Sequence, residues 1–495
     1  MRGRLFFAIL LSASMARAAQ GKSDNGLRPL VDVMEEVQQN YMGDKKYSED
    51  DLLNAALAGV AGSLDRYSEF LDQQAYKDMR EETRGYFGGI GIEIGFIGNK
   101  LSVIAPIEGT PADHAGLIGG DWIARIDGVS TDGVKIMDAV HRIKGPPGTK
   151  VVLTIIREGS PTRDYSLQRA IITPVNIRFR VIEDIGYAAI RSFSEKTADK
   201  LAEALAEFHR KKVVGIILDL RSNPGGLLAE AVKVADLFLP GGKLIVSTEG
   251  RDPAQTARFF STEKLNPETL PLIVMTNDQS ASGSEIVAGA LQDWGRAVIA
   301  GRRTFGKASV QSIQPINKEE TKALRLTVAR YYTPKHREIH EVGIGADVAL
   351  PSSRFPSAIR RLADGNMFNG FAAELVSTAT LWVDGAALKE GRLAPAPNGE
   401  AAGEFEDRVL GEFKRWLRGK GEDISDDDWQ ESREDALHLV RISVVRRVKG
   451  EEAARKMSLE FDRQVNTAAD LLRLVRPKLD RESGDPDGNR GAKGQ

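Results

Sequence analysis

At 495 residues the chain exceeds one ordinary domain and has room for two to four, each able to bury a core. Its 68 Lys and Arg stand against 70 Asp and Glu, a formal charge of -2, so no field exists to draw nucleic acid or an anionic membrane. It has no cysteine, which excludes thiol catalysis, thiolate metal sites and disulfide staples without fixing the compartment.

The chain opens with Arg2 and Arg4, runs through the apolar Leu5–Leu11 and reaches Ala16-Arg17-Ala18. That order reads as a secretory signal comprising residues 1–18. A membrane-spanning helix would need about 20 apolar residues, far more than this run supplies. The expected location is therefore periplasmic or secreted, with no integral membrane segment after cleavage.

Residues 27–84 carry helical spacing at Leu30, Val33, Met34 and Val37 and again at Leu52, Leu53, Ala56, Leu57 and Val60, with Ser48 placed to cap the second run. Residues 85–172 change character. Gly88-Gly89-Ile90-Gly91-Ile92-Glu93-Ile94 is a glycine-rich turn feeding an alternating strand, and Leu101–Ala105, Trp122–Ile126, Val151–Arg157 and Tyr165–Leu167 follow as short strands. Short helices fit Pro111–Ala115 and Met137–Ile143. With GTPADHAGLIGGDWIARIDG at 109–128, this order resembles a PDZ domain. The resemblance implies that Gly89, Ile90, Gly91 and Ile92 offer backbone N–H groups to a peptide's terminal carboxylate, while the next strand accepts the peptide as an added strand. Taken alone, the glycines fit a structural hairpin equally well.

Residues 173–355 alternate strand-length apolar runs (Gly186–Ile190, Val213–Asp219, Leu272–Thr276, Ala297–Ala300) with helical patterns at 195–210, 227–239 and 284–294. Such alternation predicts a parallel α/β core. Leu324–Tyr332 reads as a further strand with one exposed face. Residues 356–480 are helical in pattern, interrupted by the linker Leu393–Gly403, and Phe405, Val409, Phe413, Trp416 and Leu417 form an amphipathic stripe. These helices either cover the core or form an oligomer contact. Residues 481–495 read as a disordered tail.

Two loops carry candidate chemistry. Ser282 follows the strand Leu272–Thr276 and sits at the mouth of a helix, where free N–H groups and the helix dipole favour developing negative charge. A serine there is ordinarily a cap, so its role depends on company. Lys307 lies in a glycine-flanked loop and, if held neutral, could remove the serine proton. The strand Val213–Asp219 ends in Leu220-Arg221-Ser222-Asn223-Pro224-Gly225-Gly226, an oxyanion-hole candidate at the C-terminal edge of the sheet, or simply a tight strand-to-helix turn.

In order, the PDZ-like module, LDLRSNPGG, SASGSEI and TFGKASVQ, with LDRYSEF at 64–70 before them, resemble the carboxyl-terminal processing (tail-specific) proteases from about Leu27 to Pro351. The resemblance implies an α/β fold: a crotonase-like protease core with an inserted PDZ-like β-rich domain and helical N- and C-terminal regions. It implies a Ser/Lys endopeptidase with Ser282 as nucleophile, Lys307 as base, Gln311 orienting the lysine, and Gly283 with Gly225 or Gly226 supplying the oxyanion hole. Protein or peptide substrates with exposed C-termini are the expected partners, together with an adaptor or activator protein and a homo-oligomer, dimer or higher. No cofactor and no metal are expected. Gly283 stands where the family commonly has alanine, and His336–Val348 is richer in histidine than the family pattern.

A free lysine titrates near 10.4, so a base working near neutrality needs a depression of about 3 units, roughly 4 kcal/mol. Phe305, Val310, Arg302 and Arg303 would push that way if they face the amine. Glu285 and Asp293 read as solvated or structural helix carboxylates. Three rival readings exist. A Ser-His-Asp hydrolase could draw on His336, His340 and Asp293, but no G-x-S-x-G elbow surrounds Ser282. Zinc on His336 and His340 needs a helix where the sequence predicts a strand entering a turn. A catalytically silent PDZ scaffold is the rival from outside enzymology.

Overall fold

A computed structural model describes residues 24–97, 99–157, 160–253, 256–262, 268–350, 355–377 and 402–482. The signal segment, most of the linker and nearly all of the tail anticipated above lie outside those residues. The chain divides into two compact units, Met1–Asp78 with Val310–Val328, and Met79–Ser309 with Ala329–Gln495.

In the first unit, helices Asp24–Asn40 and Glu49–Gly62 lead into the short strand Glu69–Leu71. Ser48 does cap the second helix, through a box in which Ser48 and Asp51 satisfy each other's backbone N–H. The apolar stripes of both helices stay largely uncovered, with Leu27 and Val33 each 60% and Val60 67% exposed. The LDRYSEF segment turns on Asp65, whose carboxylate accepts from the N–H groups of Tyr67 and Ser68 and from the Ser68 hydroxyl. That turn aims Glu69–Leu71 antiparallel against the start of strand Ala323–Tyr332, Glu69 opposite Arg325.

The second unit contains the β-rich module. Strands Ile92–Ile97, Lys100–Pro106, Trp122–Ile126, Lys150–Ile156 and Arg163–Gln168 form one antiparallel sheet in that order, and the pair Phe87–Gly89 with Ala170–Ile172 closes the module at its neck. Alternation explains the inward set: Val151, Leu153 and Ile155 are buried while their neighbours are not, and they join Ile90, Leu101, Val103, Ile123 and Ile126 in one core.

Next comes a six-stranded sheet in the order Ile177–Ile182, Ile185–Ile190, Gly215–Asp219, Leu272–Thr276, Val298–Gly301, Val348–Ala349. The first two strands form an antiparallel hairpin and the rest are parallel. Gly215–Asp219 and Leu272–Thr276 are buried at every position, as expected for parallel strands covered on both faces. Helix Thr197–Arg210 packs on one face so closely that a Cβ at Gly186 would lie 2.6 Å from the Phe208 ring. The opposite face is covered by the C-terminal helix Arg463–Glu482 through Val465, Ala468, Ala469 and Leu472. The choice left open between a cover and an oligomer contact thus resolves, for this helix, as a cover. The preceding helices, from Ser357–Asp364 to Glu451–Glu460, bury Phe368, Phe371, Phe413 and Trp429 in a core of their own. No helix among the described residues is long and apolar enough to cross a membrane.

Candidate active site

Ser282 precedes helix Gly283–Asp293 and has φ 55° and ψ -112°, a conformation that a non-glycine residue adopts only when its surroundings enforce it. Three tethers do so. The Ala281 N–H donates to the Asn223 carbonyl (3.0 Å), the Ser284 hydroxyl donates to the same carbonyl (2.9 Å), and the Ser282 N–H donates to Glu285 (2.8 Å). Ser280 adds a fourth tie, its hydroxyl donating to the Leu220 carbonyl at 2.8 Å. Strain of this kind is characteristic of side chains held out for chemistry.

Glu285, fully buried, joins the serine to the lysine loop. One carboxylate oxygen accepts from the Ser282 N–H and the Lys307 N–H, each at 2.8 Å. The other accepts from the Thr304 hydroxyl at 2.6 Å and the Gly306 N–H at 2.7 Å. Burial pushes this carboxyl up, and the four donors oppose the shift without cancelling it. The Tyr331 hydroxyl adds a second stitch, lying within hydrogen-bond reach of the carbonyls of Ser282 and Lys307. The Phe305 N–H donates to the Ser280 carbonyl at 2.9 Å, which completes the seam. The fold therefore brings the backbones of Ser282 and Lys307 together, and both side chains are partly exposed. Of the two readings of Glu285, solvated or structural, the structural one holds.

Gly225 lies against the serine: a Cβ there would sit 2.6 Å from that of Ser282, and its φ of +106° excludes ordinary side chains. Its N–H, however, donates to Asn223 Oδ1 at 2.8 Å. As an oxyanion donor Gly225 must therefore be corrected to a spacer, because its proton is already committed. The N–H groups of Gly226 and Gly283 have no acceptor among the described residues. Asn223 itself is completely buried and anchors the loop by donating to the Ile190 carbonyl. Gly283 has its own packing reason, since a Cβ there would press on the Phe193 ring at 2.9 Å.

Several expectations change. Arg302 pairs with Asp278 (3.1 Å), Arg303 donates to the Val342 carbonyl, and Phe305 is 47% exposed. Asp293 is engaged by Arg337 and the Lys335 N–H, at the far end of a helix about 15 Å long by the usual rise. His336 stacks on Tyr332. Neither completes a triad at Ser282. Gln311 belongs to the first unit, where its amide reaches Thr327 Oγ at 3.4 Å. In the β-rich module, Gly91 has φ +76° and its carbonyl accepts from the Ile107 N–H and the Thr110 hydroxyl, while the Ile90 carbonyl accepts from the Ala112 N–H. Those bonds fix the loop Gly89–Ile92 by its carbonyls.

The model of peptidase family S41 matches residues 184–350, and that of the PDZ domain matches residues 102–157. The carboxy-terminal-processing protease of Bartonella bacilliformis is 41% identical over 367 residues, covering 71% of this chain and 83% of that one. The carboxy-terminal processing protease CtpA of Bacillus subtilis is 33% identical over 363 residues, covering 70% and 76%. Among solved structures, a photosystem II D1 C-terminal processing protease aligns with TM-score 0.41 at 26% identity, covering 67% of this chain and 94% of that one. With a strained serine facing paired glycines on an α/β sheet and a PDZ module ahead of it, the chain belongs to peptidase family S41, the serine-type carboxy-terminal-processing proteases.

Proposed function

We propose that the protein is an exported Ser/Lys endopeptidase that cuts proteins near their C-termini. Lys307 takes the proton of the Ser282 hydroxyl as the serine oxygen attacks the scissile carbonyl. The N–H groups of Gly283 and Gly226 receive the oxyanion, the lysine returns the proton to the departing amine, and water repeats the cycle on the acyl-enzyme. Gln311, four residues beyond the lysine, orients the amine. The observation that carries this reading is the single buried carboxylate of Glu285, which holds the N–H of the serine and the N–H of the lysine at 2.8 Å each.

The PDZ module supplies the substrate. Gly89, Ile90, Gly91 and Ile92 take the terminal carboxylate, and strand Ile92–Ile97 extends its sheet with the bound tail. Lys307 is only half-buried, so a bound substrate has room to close over its amine and shield it from water. Residues 1–18 direct export and are then removed, and the uncovered apolar stripes of the N-terminal helices support a homo-oligomer. An adaptor or activator protein is compatible with tail capture.

The test is digestion of an unfolded protein with an exposed tail by wild type, Ser282→Ala and Lys307→Ala. Cleavage near the tail by wild type alone supports the proposal. Cleavage that persists in either variant refutes the dyad, and an inert wild type beside tight tail binding favours a silent PDZ scaffold.

A further inference from the structure

Asp219 closes the central strand Gly215–Asp219 and is almost completely buried. Its carboxylate accepts from the Tyr187 hydroxyl at 2.7 Å, from the Arg221 N–H at 2.9 Å, and from the Arg221 guanidinium at 2.7 Å and 3.0 Å. Burial pushes this carboxyl up, but the Arg221 charge and these bonds outweigh it and hold the group below the ordinary aspartate value. It is a fixed anion beneath the loop that carries Gly225 and Gly226.

The other edge of the same guanidinium leaves the protease core. It donates to Gln464 Oε1 at 2.7 Å and to Asp462 Oδ2 at 2.8 Å. Asp462 meanwhile accepts from the N–H groups of Gln464 and Val465 and so caps helix Arg463–Glu482. A guanidinium has five N–H donors in a rigid fork, and Asp219 alone cannot satisfy them all. Arg221 leads at once into Ser222, which is held at φ +57° by Asn277, and into Asn223, which tethers both Ser284 and Gly225. The C-terminal segment therefore grips the oxyanion loop two residues upstream of its organising side chain.

Resting on the Ser/Lys reading above, we propose that Asp462 and Gln464 are positioning residues for the oxyanion loop. The C-terminal helix is then part of the catalytic apparatus as well as a cover for the sheet. Without its two acceptors the buried fork turns to find others, and Ser222 and Asn223 move with it. The ground-state complex is little affected, because the PDZ module is left in place.

The test uses the full chain with Asp462→Asn, which keeps a capping side chain but loses the charge, Gln464→Ala, and the double variant, with Ser282→Ala alongside. Peptide kcat and KM, and the affinity of a peptide aldehyde that forms a tetrahedral adduct, are measured per folded molecule. The expected result is a loss in kcat on the order of 10-fold or more in the double variant, a matching loss in aldehyde affinity, and KM within about 2-fold of wild type. Wild-type kcat in the double variant overturns the proposal. So does a loss that merely follows the unfolded fraction. Wild-type turnover in Ser282→Ala would instead overturn the Ser/Lys reading itself, which separates the two failures.

Discussion

Replacing Glu285 with glutamine tests the seam between the serine and lysine loops with almost no change of shape. The carboxylate accepts four bonds, two on each oxygen. An amide can keep one oxygen over Ser282 and Lys307 and turn its NH2 toward Thr304 and Gly306. The Thr304 hydroxyl can switch to accepting, though it already accepts from the Ile344 N–H. The Gly306 N–H cannot switch, and one buried orphan donor costs about 1–3 kcal/mol. Relief from burying a charge offsets part of this, since burial already holds the carboxyl above its ordinary value. The stability loss is therefore small and the geometric loss large: Gly306 shifts, Lys307 follows, and kcat falls on the order of 100-fold, the scale of a 1 Å misplacement. Protonating the natural residue sets a hydrogen in the same crowded place. Activity should thus have an acid limb above the ordinary glutamate pKa near 4.5, and Glu285→Gln should lack it. Stability moves the other way. A folded-state pKa above the unfolded one favours the protonated fold, so that contribution is complete below about 4.5 and is lost as pH rises through the raised value. Parallel pH-activity and urea-unfolding series measure both. Wild-type kcat in Glu285→Gln, or an acid limb that survives in it, would refute this reasoning.

Gly225→Ala should abolish turnover while leaving tail binding intact, because the new Cβ meets that of Ser282 at 2.6 Å with φ at +106°; a peptide-binding assay beside a cleavage assay reads both. Gly91→Ala should do the reverse, driving a methyl into Thr110 at 2.4 Å and weakening capture of a peptide tail, with an ester substrate too short to engage the module hydrolysed normally. His438 packs on Phe461 and is lowered to about 4 by burial and by the charges of Arg441 and Arg463. A histidine more basic unfolded than folded costs stability as pH falls from about 6.5 toward 4, so His438→Leu should flatten the acid dependence of thermal melting in that window.

The strand-loop-helix setting of Ser282, the parallel sheet and the β-rich module could all be read from apolar periodicity and glycine placement, because those patterns are local. Glu285 could not, since a carboxylate three residues after a serine is the signature of a capping box and equally of the brace found here. Which glycine keeps its N–H was hidden too: it depends on the side chain of Asn223 reaching the Gly225 N–H, a rotamer that spacing does not encode. The strands Leu244–Gly250 and Ala257–Phe260 went unread, although Ile245 and Val246 are buried. The apolar face of Arg463–Glu482 was visible as a stripe, but a stripe does not name the surface it covers.

The central claim is that Ser282 is a nucleophile activated by Lys307, and labelling with a fluorophosphonate followed by peptide mass spectrometry tests it most directly. The expected result is one adduct, on Ser282, formed at least about 100-fold more slowly in Lys307→Ala. An adduct on another residue, or undiminished labelling of Ser282 in Lys307→Ala, would contradict it.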